Sequence, residues 1–215
     1  MYNLYLKGLS TDNQELSKIR DSFNNNDLSF TNVFDSYSNL ATLTKNALQA
    51  EVNEQIRKAN PTMQNVNLIC HSMGCNLGVL AAEQSKKIKS LVLISPEFGE
   101  YSTKEKRKME EANIHPTFQR QYGEKETKIS SDKIRSIIVF NRTKPWATLA
   151  IEKVDIPVLI IYSKDDTFIP KEYLENLAKR KDNVEIETIN SKLHNPLTSL
   201  DHKNKTIKLI KDFQK

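Results

Sequence analysis

The sequence lacks any run of eighteen apolar residues, and its N-terminus shows no charged segment followed by an apolar stretch. The first absence excludes a membrane-spanning helix, and the second excludes a recognisable signal peptide. The glycine-rich phosphate-binding patterns G-x-G-x-x-G and Walker A are also missing. We therefore expect a cytoplasmic protein that needs no cofactor.

Cysteine is scarce too, because Cys70 and Cys75 are the only thiols in 215 residues. Neither has further cysteines or histidines at the spacing of a zinc site. Cys70 would end a predicted strand, and Cys75 would lie in the helix that follows it. We expect two reduced, buried thiols and no bound metal.

Charge of one sign does not dominate, since 32 Lys and Arg face 27 Asp and Glu for a net charge of +5. A nucleic-acid-binding surface needs basic residues gathered on one element with aromatic residues between them. The densest basic cluster, at 104–108, is diluted by nearby glutamates, so a solvated helix face explains it better. We expect a small-molecule partner and no nucleic acid, and the sequence carries no signal of an oligomeric state.

Short apolar segments alternate with amphipathic helical patterns along the chain. The predicted strands are 2–6, 28–34, 66–70, 90–94, 157–162 and 184–189. The predicted helices run from Thr11 or Asp12 to about Phe23, from Ser36 or Ser38 to about Asn60, and over 73–85, 171–180 and 199–213. The strands are apolar throughout, which is typical of parallel strands buried on both faces. This alternation predicts an α/β fold with a doubly wound, mostly parallel six-stranded sheet.

Residues 96–150 interrupt the alternation of strands and helices. They are rich in charge, contain a predicted helix near 103–113 and hold Trp146, the only tryptophan. Such a segment is too long for a simple loop. We predict an inserted helical cap at 96–150 and a core domain made of residues 1–95 and 151–215.

The stretch LICHSMGCNLG, residues 68–78, places a lone serine, Ser72, between a predicted strand and a predicted helix. The nucleophile-elbow pattern G-x-S-x-G occurs at such a junction, where a sharp turn presents the serine hydroxyl above the sheet. Gly74 fits its second glycine, whereas Cys70 replaces the first. The alternative is that Ser72 is only the N-cap of the helix.

A serine needs a base to become a nucleophile, and candidates follow the last two predicted strands. Asp165 and Asp166 end the stretch S-K-D-D, residues 163–166, that follows the fifth strand, and His194 comes after the sixth. The carboxyl ends of parallel strands share one edge of the sheet, so these groups can converge with Ser72. Alternatively, the aspartates form a turn that caps the next helix, and His194 is an exposed loop residue.

Together these motifs resemble the α/β-hydrolase family, over nearly all of the chain except the cap. The family's acid lies in a G-x-x-D-x-x-V-P pattern, which favours Asp166 over Asp165, although Ser163 replaces the glycine. The resemblance also implies an oxyanion hole made by the backbone N–H groups of Met73 and Leu9. Leu9 belongs to the stretch K-G-L, where lysine replaces the family's usual histidine. The resemblance further implies a core that lacks the family's two N-terminal strands.

The resemblance implies a serine hydrolase that cleaves a small carboxylic ester through a Ser72–His194–Asp166 triad and an acyl-enzyme. Phe98, Ile138 and Trp146 are candidates to line the substrate pocket, with ordinary packing in the cap as the alternative. A thioesterase, a lysophospholipase or a peptidase of the same fold is equally compatible with the motifs. The alternative from a different class is a non-catalytic homologue that binds a ligand or a protein.

Overall fold

The computed structural model describes residues 2–8, 20–21, 23, 28–31, 43–60, 62, 64–111 and 131–215. Its sheet has the strand order β2-β1-β3-β4-β5-β6, and every neighbouring pair is parallel. The strands are β1 (Tyr2–Leu6), β2 (Leu28–Thr31), β3 (Val66–His71), β4 (Ile88–Ile94), β5 (Val158–Ser163) and β6 (Val184–Ile189). The predicted α/β fold with a mostly parallel sheet is confirmed.

The strand order changes direction between β1 and β3, because the chain first adds β2 outside β1 and then adds β3 on the other side. Such a switch point opens a crevice at the carboxyl ends of the two strands. The turn that follows β3 lies at this crevice. The topology therefore places the residues after β3, β4, β5 and β6 along one edge of the sheet.

Six α-helices accompany the strands among the described residues. They are α1 (Lys45–Ala59), α2 (Met73–Gln84), α3 (Thr103–Glu111), α4 (Ser131–Ile151), α5 (Lys171–Arg180) and α6 (Leu200–Phe213). The helices predicted after β3, β5 and β6 match α2, α5 and α6. Nearly all of the helix predicted to end at Phe23, and the predicted starts at Ser36 or Ser38, lie outside the described residues. A single helix from either start to Asn60 is wrong, because Leu43 and Thr44 are not helical and α1 begins at Lys45. Within them, Thr44 caps α1 by accepting a hydrogen bond from the Ala47 amide at 3.2 Å.

Strands β3 and β5 are buried at every position, whereas the edge strand β6 exposes Glu185 and Glu187 and so departs from the expected apolar pattern. In β3, Leu68 and Cys70 belong to one buried cluster, and Ile69, which points the opposite way, belongs to the other. Helices α1, α2, α4 and α5 contribute to the first cluster, and α6 contributes to the second through Ile210. Since successive side chains point to opposite faces, a strand covered by helices on both sides is mostly apolar. The buried polar residues Asn67 of β3 and Ser90 of β4 hydrogen-bond to each other at 2.7 Å.

Helix α4 links the predicted cap segment to the core. Its C-terminal end places Ala147, Ala150 and Ile151 in the same buried cluster as the central strands. Thr143 accepts a hydrogen bond from Asn76 of α2 at 3.1 Å. Residues 112–130 lie outside the described part, so the division into core and cap stays a prediction. Among the described helices, none is both long and apolar enough to cross a bilayer.

Candidate active site

Ser72 occupies a sharp turn between the last residue of β3 and the first residue of α2. Its backbone has φ 52° and ψ −120°, an uncommon conformation for a residue with a side chain. The Ser72 amide donates to the Ile94 carbonyl and the Ser72 carbonyl accepts from the Cys75 amide, both at 2.9 Å. A conformation that costs about 1–3 kcal/mol is thus held in place by its neighbours, as expected at a functional turn.

The side chain of Ser72 does not cap the helix. It makes no hydrogen bond to the first turn of α2, although its residue occupies the N-cap position. The hydroxyl instead donates to Oε1 of Glu97 at 2.8 Å. The explanation of Ser72 as a simple N-cap is therefore wrong.

The residues at the two elbow positions, Gly74 and Cys70, have a steric explanation. A Cβ on Gly74 would lie 2.3 Å from the Leu6 carbonyl oxygen, so only glycine lets β1 pass this close. At the other elbow position, the Cys70 sulfur occupies space that Gly78 leaves open, since a Cβ there would lie 2.3 Å from it. The larger residue at position 70 is thus accommodated by a glycine one helical turn beyond the elbow.

His194 lies in the loop after β6, and its Nδ1 is 2.6 Å from Oδ2 of Asp166. Asp166 is buried, and its Oδ1 accepts a hydrogen bond from the Phe168 amide at 3.0 Å. Asp165 is exposed to solvent. Of the two adjacent aspartates, the structure brings Asp166 to the histidine.

Ser163, which replaces the glycine of the family pattern, ties the two loops of this pair together. Its hydroxyl is buried at the end of β5 and donates to the Leu193 carbonyl at 2.6 Å. Leu193 directly precedes His194. The departure from glycine therefore adds a fixed contact next to the histidine.

Glu97 lies within the candidate site, although the sequence alone did not indicate it. The same Oε1 atom that accepts from Ser72 lies 3.3 Å from Nε2 of His194, and the glutamate side chain is only 5% exposed. Ser72 and His194 thus meet at one carboxylate oxygen, and no direct hydrogen bond between them occurs in the described part. The signal that could have revealed Glu97 is its place just after β4, at the strand edge that also carries Ser72 and Asp166.

The buried His71 packs against His194. Its ring centroid is 5.3 Å from that of His194, and its Nε2 is 3.4 Å from the His194 carbonyl oxygen. Burial, with a smaller contribution from the nearby His194, lowers the pKa of His71 to about 3. The imidazole is therefore neutral over the ordinary pH range, and the Nε2–H tautomer can donate to the carbonyl.

The low pKa of His71 predicts that acid destabilises the folded chain. The unfolded state binds a proton near the ordinary value of about 6.5, whereas the folded state does not, so stability falls as pH decreases below that value. From pH 7 to pH 5 the loss from this group is about 2 kcal/mol. Urea unfolding at both pH values should show this loss. It should disappear in His71→Gln and persist in His202→Gln, and an equal loss in both variants would contradict the assignment.

Of the two proposed oxyanion donors, Met73 lies within the described residues and Leu9 does not. Met73 is the first residue of α2, where a backbone N–H has no acceptor within the helix. Leu9 lies outside the described residues. Its neighbour Gly8 is buried against the turn, since a Cβ there would lie 3.0 Å from both His71 Nδ1 and Ser72 Cβ.

The three predicted pocket residues lie in different environments. Phe98 is completely buried and packs edge-on against Tyr173, with ring centroids 6.4 Å apart. Trp146 packs against the same core cluster, and Ile138 is 37% exposed on α4. Phe98 therefore has the contacts of a core side chain, and the pocket role of all three residues stays a prediction.

A family model described as serine hydrolase matches residues 39–194, which is more than half of the chain. The chain belongs to the serine hydrolase family. The matched range of this serine hydrolase includes Ser72 and Asp166 and ends at His194. No curated protein sequence is significantly similar to it.

Solved structures share the fold of this serine hydrolase at low sequence identity. A lipase-esterase related protein from Clostridium acetobutylicum is 16% identical, with a TM-score of 0.67 over 99% of this chain and 93% of that one. A monoacylglycerol lipase from Paleococcus ferrophilus is 15% identical, with a TM-score of 0.66 over 99% and 93%. An esterase from Exiguobacterium antarcticum is 14% identical, with a TM-score of 0.63 over 100% and 92%. The serine hydrolase is a member of the α/β-hydrolase superfamily.

Proposed function

We propose that this member of the serine hydrolase family hydrolyses a small carboxylic ester. Ser72 Oγ attacks the acyl carbonyl while Nε2 of His194 takes the hydroxyl proton and then gives it to the leaving alkoxide. Asp166 holds the Nδ1–H tautomer and stabilises the imidazolium. Water, deprotonated by the same nitrogen, then cleaves the acyl-enzyme and restores the serine.

The observation that carries the proposal is the 2.6 Å contact between Asp166 and His194 beside a serine in a strained turn. The nucleophile and the histidine also lie within 3.3 Å of one shared carboxylate oxygen, so both belong to a single small site. An ordinary helix cap or a loop histidine would require neither the strain nor the buried aspartate.

The oxyanion of the tetrahedral intermediate is proposed to bind the amides of Met73 and Leu9. Each such donor lowers the activation free energy by on the order of 3 kcal/mol. The support is the position of Met73 at the start of α2 and the direct packing of Gly8 against the turn.

An ester is proposed over a thioester or a peptide because the structural neighbours named above are described as lipases or esterases. We further propose that residues 96–150 form a cap over the core and that Phe98, Ile138 and Trp146 help to shape the acyl pocket. The proposed partner is thus a small-molecule acyl ester, and the proposed location of the protein is the cytoplasm.

One observation favours the alternative of a non-catalytic binding module. Ser72 donates to Glu97 and not to His194, so the nucleophile and the base are not directly paired in this arrangement. A protein that only binds a ligand would tolerate this, whereas a hydrolase must break the contact during turnover.

Turnover of p-nitrophenyl acetate, butyrate and octanoate distinguishes the two functions. A serine esterase should hydrolyse the short esters steadily. It should also hydrolyse them faster than the matching p-nitroanilides, because p-nitrophenolate is a better leaving group than p-nitroanilide. A well-folded chain that turns over none of these compounds would support the binding module instead.

A further inference from the structure

Glu97 is a buried carboxylate in direct contact with both reacting groups of the proposed triad. Its Oε1 accepts the Ser72 hydroxyl at 2.8 Å and lies 3.3 Å from Nε2 of His194. The triad mechanism has no role for such a group. A carboxylate at this position affects where the two transferable protons of the site lie.

The backbone around Glu97 is held from both sides, so the contact does not result from a surface side chain that has turned inward. Ser95, at φ 51°, donates its amide to the Ile161 carbonyl at 2.8 Å. Gly99, at φ 98°, donates to Thr148 Oγ1 at 2.8 Å. Phe98 is completely buried between these anchors. The fold therefore directs the glutamate into the site.

The first proton concerned is the one on the serine. In this arrangement the Ser72 hydroxyl donates to Glu97, so its proton is directed away from the imidazole. Before attack, the hydroxyl must rotate so that it donates to Nε2 of His194.

The second proton concerned is the one on the imidazole. Nδ1 of His194 contacts Asp166 and Nε2 contacts Glu97, so each ring nitrogen faces a carboxylate. A carboxylate at this distance favours the charged form of its partner, and here both favour the imidazolium. The neutral His71 also lies against this ring, and the Phe168 ring lies edge-on to it.

We propose that Glu97 is a positioning residue that holds His194 in its protonated form and keeps the Ser72 hydroxyl away from it. The active pair forms when Nε2 loses its proton to water and the hydroxyl turns from Glu97 to the freed nitrogen. No bond between heavy atoms forms or breaks in this step. The inference rests on the proposed function, since it concerns the same serine and histidine.

The pH profile of ester hydrolysis tests the proposal through matched variants. Glu97→Gln keeps the shape and an acceptor oxygen but removes the charge, and Glu97→Ala removes both. In each variant, the acidic limb of kcat/KM for p-nitrophenyl acetate should move to lower pH by about one unit. Glu100→Gln, an exposed glutamate of the same loop, should leave the profile in place. A Glu97→Gln profile that differs from the parent only in height would overturn the proposal.

A second measurement needs no turnover and no Glu97 variant. The imidazole nitrogen signals of His194, followed by NMR in the unmodified chain, should titrate with a midpoint above the ordinary histidine value of about 6.5. A midpoint at or below that value would overturn the proposal even if the variants fail to fold. Conversely, if the chain hydrolyses no ester but the raised midpoint falls in Glu97→Gln and stays in Glu100→Gln, the proposed function would be overturned and the role of Glu97 would stand.

Discussion

Replacing Ser72 with alanine should reduce turnover of p-nitrophenyl butyrate to the background rate, a loss on the order of 10⁴-fold or more in kcat. Without the hydroxyl, no acyl-enzyme forms, and His194 can only assist water. The fold should persist, because alanine retains Cβ and the backbone strain at φ 52° is unchanged. Thermal unfolding of the variant should match that of the parent within a few degrees.

Ser95 is a matched control for this substitution. It is also a buried serine at the end of a strand, with φ 51°, and its hydroxyl has no hydrogen-bond partner among the described residues. Ser95→Ala should therefore keep most of the activity. Equal activity of Ser72→Ala and the parent would exclude Ser72 as the nucleophile.

Replacing Asp166 with asparagine should lower kcat by about 10³–10⁴-fold with little change in KM. The carboxylate lies 2.6 Å from Nδ1 of His194 and keeps the proton there, so that once Nε2 has lost its proton its lone pair is available on the side of the serine. An asparagine amide can donate to Nδ1 and thereby stabilise the opposite tautomer. Asparagine retains an oxygen that can accept from the Phe168 amide, so the loop should stay folded.

Asp165→Asn provides the comparison within the same dipeptide. Asp165 is exposed, and its backbone amide donates to the Ser191 carbonyl, which the substitution leaves intact. This variant should have nearly the activity of the parent. If it were the more damaged of the two, the carboxylate assignment would have to be reversed.

The position of the site followed from a simple rule about strands. Residues that directly follow parallel strands share one edge of the sheet, and this rule brought together Ser72, Asp166 and His194 from distant parts of the sequence. The same rule applied to the segment after β4 would have included Glu97. That segment was interpreted as the start of the cap, and a glutamate beside the serine is not part of the pattern sought.

Two contacts that accommodate the departures from the family pattern could not be predicted from the local sequence. The acceptance of Cys70 depends on Gly78, and the role of Ser163 depends on the carbonyl of Leu193. Each pair is visible only when the packed elements are placed side by side. The departures from the family pattern were recognisable in the sequence, but their consequences were not.

One strand boundary differs from its predicted position because pairing with the neighbouring strand outweighs the local composition. Strand β4 begins at Ile88, two residues before the predicted start, because Ile88 pairs with Val66 of β3. The exposed Lys89 within this stretch makes the segment look like a loop in sequence.

The most direct test of the account is to label the folded chain with a fluorophosphonate and map the adduct by peptide mass spectrometry. An activated serine forms a covalent bond to phosphorus and expels fluoride, whereas an ordinary surface hydroxyl does not react. The account predicts one adduct, on Ser72, which is lost when Asp166 or His194 is substituted. A folded chain that carries no adduct, or carries it on another serine, would contradict the account.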